Sequence, residues 1–570
     1  MQLQTPTQTQ SDKNRVLDKA ARQSPNFFES DKMLRHFIQK NASAEAWAQM
    51  LPYWTKLGAE AAGQMNELSY WADKKTPELV KRNHYGETLN QIVFHPAYHT
   101  LTDIAIQSGM FSIKWQPDNR TRFGSELHRL GFINAFLFGM TEAGLLCPLC
   151  MTDGVARLID RYCESDDKQR LLAHIYTHRL EDFYTGAMFL TEKAGGSDVG
   201  ANLVSATHWQ DNYYLLNGEK WFCSNANAEI IFALARTNPE VKGTKGLSIF
   251  LIEKQRPDGS PNTMDVVRLK DKLGVRSMAS AECILTNTVG KRIGEEGEGF
   301  KIMTDMINLS RLYNAIGSIS GARRALIEAY QHLSFRTTFG RNALDHALVR
   351  EKLAELTALY QAEFYLTWRT VQSLDLTDHG NTREAELVRL LTPMVKRSSA
   401  AQVVYIVREC MELVGGLGYI EDGVIPRLMR DCMVLPIWEG AGNIMLLDML
   451  RASFKSKGFS FLCEDLQATF AQHGGQHQAA LTGLLQQIVL LAKQLGGVDQ
   501  ETLETTAKDL FGTLTRLYQI GLLMQQRDSE SQTWVDPALG WLIRNLQPAS
   551  LQLRQAPDRA SIEAMMAWAF

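Results

Sequence analysis

Glu439 is a lone carboxylate at the end of the apolar run Met433-Val434-Leu435-Pro436-Ile437-Trp438, and Gly440, Ala441, Gly442 and Asn443 follow it. Burial there would raise its pKa toward the range of a general base. A helix-capping or salt-bridged Glu has the same local signature. Thr191-Glu192-Lys193-Ala194-Gly195-Gly196-Ser197-Asp198 offers two hydroxyls for carbonyl or phosphate oxygens, and glycines that let backbone approach a ligand. Alone it also reads as a capped turn. Asn217-Gly218-Glu219-Lys220-Trp221-Phe222-Cys223-Ser224 places two aromatics and a hydroxyl after a turn, suited to a stacked flat ring or to a hydrophobic core.

These three segments must be held by other elements. From Val16 to Asp182 the pattern is mostly helical. From Phe183 to Gly290 it changes to short β-rich runs (Ile230 to Leu234, Leu247 to Ile252, Val266 to Leu269, Cys283 to Leu285), which predict an antiparallel sheet or small barrel. Tyr213 to Leu216 running into Asn217-Gly218 predicts a hairpin turn. Gly299 to Phe335, His346 to Asp375 and Thr382 to Val414 read as long helices of a bundle. In the tail, Leu481, Leu484, Leu485 and Ile488 recur with helical spacing, as do Leu510, Leu514 and Leu517. The predicted class is α+β, mainly α, in four parts: an N-terminal helical domain (1–182), a β domain (183–290), a helical bundle carrying Glu439 (291–450) and an extra helical domain (451–570).

The 570 residues are too many for one core, and 45% apolar with 22% charged side chains is ordinary globular composition. Sixty basic against 63 acidic residues argue against a chain built to coat nucleic acid. No apolar run approaches the ~18 residues of a membrane span, and the first twelve residues resemble neither a secretion signal nor a transit segment. No membrane association and a cytoplasmic location are expected. Eight scattered cysteines supply one C-x-x-C, Cys147 and Cys150, without the second pair a structural zinc needs, so no metal is expected. His95 and His99 are separated by Pro96 and lack the Glu of a zinc helix. Neither a phosphate-binding P-loop nor a Rossmann glycine fingerprint occurs.

In order, T-E-x-x-G-G-S-D, the N-G-x-K strand, L-G-V-R-S, G-E-E-G-E-G-F, Ser310-Arg311, R-T-T-F-G-R, G-G-L-G-Y, R-L-M-R-D and W-E-G resemble the acyl-CoA dehydrogenase family across roughly residues 90 to 450. Met151-Thr152, K-W-F-x-S and I-W-E-G-x-G-N-I-M are similar to its AidB-like branch, which carries an extra helical C-terminal domain. The resemblance implies FAD between the β domain and the bundle. Leu190, Thr191, Gly196 and Ser197 would line the ring and pyrophosphate, with Ser224 at the ring's polar edge and Phe222 where most relatives have Trp. Arg336, Phe339, Gly415 and Gly416 would reach the FAD of a neighbouring subunit, implying an oligomer, a homotetramer by likeness. Gly440 and Asn443 would complete the cofactor contacts, although Ala441 and Asn443 replace the Thr and Gln of many relatives, and Glu412 a common Gln. Substrate would meet Ser197, Arg311, Trp438 and Gly440. Glu439 matches the base. The alternative base position beside the helical arginine holds Ser310, which cannot serve.

The implied reaction is dehydrogenation of an acyl-CoA in fatty acid metabolism. Glu439 would take the α-proton while the β-hydride passes to the flavin, giving trans-2-enoyl-CoA, with electron-transfer flavoprotein as acceptor. Two rival readings stand beside it. One is an AidB-like DNA-binding, alkylation-response flavoprotein with weak dehydrogenase activity; residues 451–570 carry ten basic against eleven acidic side chains, so DNA is not favoured. The other is an oxidase of the same fold, which a retained Glu does not exclude.

Overall fold

Residues 26–546 and 551–566 are described by the computed structural model. The polar first twelve residues and the expected helical start at Val16 lie outside them. By contacts the chain forms two compact units, residues up to 349 with Val403–Glu439, and Arg350–Gln402 with Gly440 onward. These units cut across the four predicted parts.

The first unit begins with α1 (Lys32–Asn41), α2 (Ala44–Ala62) and α3 (Met65–Lys74). Asp31 and Ser43 cap the first two by accepting the main-chain N–H three residues on. A feature absent from the sequence reading follows: strands β1 (Glu78–Arg82) and β2 (Thr88–Val93) pair antiparallel inside the region expected to be helical. Their alternation is blurred because neither strand is fully buried on a face. Helices α4 (Pro96–Gln107), α5 (Leu127–Gly139), α6 (Leu146–Tyr162) and α7 (Ser165–Ile175) complete this part.

A seven-stranded sheet comes next: β3 (Gly186–Phe189), β4 (Ser205–Gln210), β5 (Tyr213–Ser224), β6 (Ile230–Arg236), β7 (Leu247–Glu253), β8 (Met264–Leu269) and β9 (Ser280–Ile293). It is mostly antiparallel, with β3 parallel to β6. Strands β6 and β7 are buried almost throughout, so they read as continuous apolar runs rather than alternating ones. Asn217-Gly218 is not a hairpin turn. β5 continues through it, and the register against β9 shifts there as a bulge. Gly218 has φ 139°, and a Cβ on it would lie 2.8 Å from Val204. Asn217 holds the bulge by accepting the Asn287 main-chain N–H at 2.8 Å.

Helix α8 (Gly299–Phe335) spans 37 residues and is buried around most of its circumference, as a core helix is. It packs against α5, α6, β7 and α11 (Val424–Cys432). In the second unit lie most of α9 (Ala347–Asp378) and α10 (Thr382–Val414), with α12 (Gly442–Lys455), α13 (Gly458–His473), α14 (Gln478–Gln494), α15 (Gln500–Gln526) and α16 (Gln532–Arg544). The tail helices fall in one contact unit with residues Arg350–Gln402. Buried Glu363 of α9 accepts from Ser398 of α10 at 2.9 Å and from Gln519 of α15 at 2.8 Å. Among the described residues no helix is long and apolar enough to cross a membrane.

Candidate functional site

Glu439 ends the turn that follows α11, with φ 57° and its side chain half-buried. A non-glycine residue in this left-handed region is uncommon and clusters at functional sites. Two neighbours on α8 hold it. Ser310 Oγ donates to the Glu439 carboxylate, and Arg311 Nε donates to the Glu439 main-chain carbonyl at 3.2 Å. The Ser310 hydroxyl cannot act as the base, but the structure makes it the base candidate's partner. Its adjacency to Arg311 in the motif was the available signal.

Glu439, Trp438 and Ser310 line a cavity whose other walls come from α5, α6, α8 and α11. It encloses about 50 Å³ of space open to the centres of water-sized atoms, and its walls include Leu146, Met151, Leu428 and Leu435. Behind one wall, Asp153 of α6 accepts from Lys114, from Trp115 Nε1 at 2.7 Å and from Tyr313 Oη at 2.9 Å, which fixes Tyr313 against the cavity. Cys147 and Cys150 are free thiols on this lining. Burial pushes Cys147 up to about 12. A thiol so far from ionising is a weak nucleophile.

The L-G-V-R-S loop closes another wall. Gly274 lies so near the Arg430 carbonyl that a Cβ would sit 2.2 Å from it. Val275 N–H, next in the chain, donates to buried Asp431 at 2.5 Å. Burial pushes Asp431 up to about 7, from about 3.9 in an unfolded chain. Between these values the folded protein keeps a proton that the unfolded chain releases. The resulting stability is fully present below pH ~4, is lost as pH rises toward ~7, and changes no further above that. Asp431→Asn, which retains an acceptor for Val275, is expected to flatten this decline. Urea midpoints between pH 4.5 and 7.5 test it, and an unchanged slope would assign the decline to other groups.

The glycine-rich and N-G-x-K segments are brought together by a buried ion pair. Lys220 Nζ donates to Glu192 at 2.6 Å, while the other Glu192 oxygen accepts the N–H groups of Leu203 and Val204 at 2.5 and 3.1 Å. Trp221 N–H donates to Thr191 O at 2.9 Å, and Asn202 Nδ2 to Leu190 O at 2.7 Å. Thr191 and Ser224 are half-buried, while Gly196 and Ser197 are exposed. The aromatic pair is not core: Phe222 is 60% exposed with φ 57°, and Lys270 Nζ lies 3.2 Å from the centroid of the Trp221 ring. Open space flanks Gly196, where an added Cβ would meet only the Thr191 methyl at 3.7 Å.

A second group forms around Arg336, whose Nη1 donates to Val414 O at 3.0 Å and lies 3.5 Å from where a Gly415 Cβ would be. Gly416 beside it faces open space, and Phe339 is 98% exposed. Gly440 and Asn443 fall in the other unit. There Gly440 O accepts from Lys396 at 2.6 Å, and Asn443 is exposed in the first turn of α12.

The family described as "Acyl-CoA dehydrogenase, C-terminal domain" matches residues 297–454, and "Acyl-CoA dehydrogenase, middle domain" matches residues 187–288. "Adaptive response protein AidB N-terminal domain" matches residues 19–180. AidB of Escherichia coli (strain K12) is 34% identical over 442 residues, which cover 75% of this chain and 79% of AidB. The chain belongs to the acyl-CoA dehydrogenase family, in its AidB-like branch. It is an oxidoreductase of that family. "Acyl-CoA dehydrogenase family member 11" of Caenorhabditis elegans is 27% identical over 527 residues, covering 89% of this chain and 85% of that protein. The solved structure of Caenorhabditis elegans ACDH-11 in complex with C11-CoA superposes with a TM-score of 0.85 at 26% identity over 95% of each chain. The apo form of Bd2924 gives 0.80 at 30% identity, covering 90% of this chain and 98% of that one.

Proposed function

We propose that this protein is an FAD-dependent acyl-CoA dehydrogenase with Glu439 as its base. The observation that carries the reading is a carboxylate held by Ser310 at the edge of a largely apolar cavity. The residues fit the cofactor. Thr191 and Ser224 offer hydroxyls on paired segments, Phe222 is exposed to stack on a flat ring, and Gly196 leaves room beside it. When bound, FAD supplies the two-electron acceptance that removes the β-hydrogen as hydride. The protein does the rest. The cavity takes the acyl chain and excludes water. The Glu439 carboxylate takes the α-proton, and its main-chain N–H is the donor assigned to the thioester carbonyl as charge develops there. The product is trans-2-enoyl-CoA.

Arg336, Gly415, Gly416 and the exposed rings of Phe335, Phe339 and Tyr419 support an oligomer, a homotetramer by family likeness, in which this surface meets a neighbouring subunit and its FAD. Electron-transfer flavoprotein is the proposed acceptor. The DNA-binding reading gains nothing from the tail: Arg554 pairs with Asp509 at 2.5 Å and Arg559 with Glu563 at 2.7 Å, which leaves fewer cations for phosphates.

Anaerobic titration of the flavin-loaded protein with acyl-CoAs of graded length tests the reading. Bleaching of the flavin band is expected. A yellow protein at saturating thioester for every length would overturn it.

A further inference from the structure

The cavity beside Glu439 runs along α8, and contacts on two flanks fix its course. Ser310 meets Glu439 at one end. Further along, Asn314 Nδ2 donates to Leu435 O at 3.1 Å, and a Cβ on Gly321 would lie 3.1 Å from Cys432 Sγ. The segment from Cys432 to Glu439 therefore follows α8 in the opposite direction. On the other flank, Tyr313 Oη donates to Asp153 at 2.9 Å, and a Cβ on Gly317 would lie 3.5 Å from Leu146 Cδ2. Helix α6 thus runs antiparallel to α8 as well. Ser310, Asn314, Gly317 and Gly321 all line the cavity, and their spacing puts them on one face of α8. From Ser310 to Gly321 that face extends about 16 Å.

Glycine inside a helix is costly, because it loses more backbone freedom on folding than alanine does. At other helical glycines of this unit, packing demands it: a Cβ on Gly154 would lie 2.6 Å from Met306, and one on Gly299 2.3 Å from the Ser248 main chain. Gly317 is different. Its Cβ would meet only Leu146, at ordinary van der Waals distance. Gly317 also keeps accessible surface, while residues 312–316 and 318–322 on either side of it are buried. Packing leaves that surface open, and it forms part of the cavity wall. Gly321, the last α8 residue on the lining, is buried against Cys432, so the cavity ends there.

We propose that Gly317 sets the acyl length this protein accepts, its missing side chain letting an unbranched chain pass Asn314 toward Gly321, so that the preferred substrates are CoA thioesters of about ten to fourteen carbons. The proposal rests on the dehydrogenase reading for the identity of the thioester, but length selection in binding is separable from the chemistry. A fully extended chain advances about 1.2 Å per bond, since the three backbone bonds of a peptide residue span about 3.6 Å. With the α-carbon held at Glu439, Gly317 lies near roughly the eleventh carbon and Gly321 near roughly the sixteenth. Chains that stop well before Gly317 leave the far part of the cavity unfilled. Each further methylene leaves water for the apolar wall and strengthens binding, until the closed end at Gly321 and Cys432 admits no more.

The test measures dissociation constants calorimetrically on the flavin-loaded full-length protein, for hexanoyl-, dodecanoyl- and octadecanoyl-CoA. Anaerobic flavin bleaching is followed in parallel. Dodecanoyl-CoA is expected to bind about 10-fold or more tightly than hexanoyl-CoA, and octadecanoyl-CoA no more tightly than dodecanoyl-CoA. The hexanoyl-to-dodecanoyl ratio is expected to fall toward one in Gly317→Val and to fall part of the way in Gly317→Ala. The alanine variant guards against a folding defect in the first, because its Cβ has room against Leu146. Equal constants for hexanoyl- and dodecanoyl-CoA in the parent would overturn the length gauge. So would a parent ratio surviving in the valine variant, or in the alanine variant if only that one folds. If no thioester bleaches the flavin while the length preference and its loss on substitution persist, the dehydrogenase reading fails and the gauge stands. Bleaching with hexanoyl-CoA bound most tightly would overturn the gauge and leave the dehydrogenase reading intact; no binding at any length would overturn both.

Discussion

Glu439→Gln is expected to bind flavin and acyl-CoA as the parent protein does, and to lose about 10³- to 10⁴-fold in the rate at which acyl-CoA bleaches the flavin. Glutamine has nearly the size of glutamate, and its carbonyl oxygen still accepts the Ser310 hydroxyl hydrogen bond that orients the side chain. The main-chain contact from Arg311 is untouched, since it reaches the carbonyl of residue 439 rather than its side chain. What disappears is the lone pair able to take a proton from a weakly acidic carbon. The effect should appear in the rate of reduction at saturating substrate and not in the dissociation constant, because a base that acts only as the proton moves contributes little to ground-state binding. Stopped-flow absorbance with the oxidised, flavin-loaded variant measures both. Bleaching at the parent rate would remove Glu439 from the mechanism and leave the cavity without a named base.

Long local patterns were legible in the sequence, and pairings across the chain were not. The helices Gly299–Phe335 and Thr382–Val414 start and stop where their periodicity does, because helical hydrogen bonds and capping are settled within a few residues. Asn217-Gly218 misled because a turn and a bulge use the same two residues; what decides between them is Asn287, 70 positions away. The parallel pairing of β3 with β6 and the short hairpin of β1 and β2 also rest on distant neighbours. At the site, Glu439 was readable from its apolar approach and its glycines, but its hydroxyl partner on α8 lies 129 positions away. Asp431 was visible only as part of a motif. Its retained proton follows from burial beneath the Val275 loop, which no local pattern encodes.

Lys220→Met is expected to destabilise the protein by about 3–5 kcal/mol, more than removal of any exposed pair. Lys220 is fully buried, and burial lowers the pKa of its ammonium; the adjacent Glu192 carboxylate opposes this. Removing the lysine strands a carboxylate in the interior with only the Leu203 and Val204 N–H groups to solvate it. The change should be felt first where Trp221 N–H meets Thr191 O, because the ion pair clamps those two segments together. Weaker retention of FAD during gel filtration should therefore accompany the loss of stability. Lys220→Met with Glu192→Gln separates charge from packing. The neutral amide still accepts through its oxygen, so the double variant is expected to recover more than half of the lost stability. Denaturant midpoints of the three proteins measure this cycle. A single variant as stable as the parent would mean that the pair is not isolated from water, and that the two motif segments are held together by backbone bonds alone.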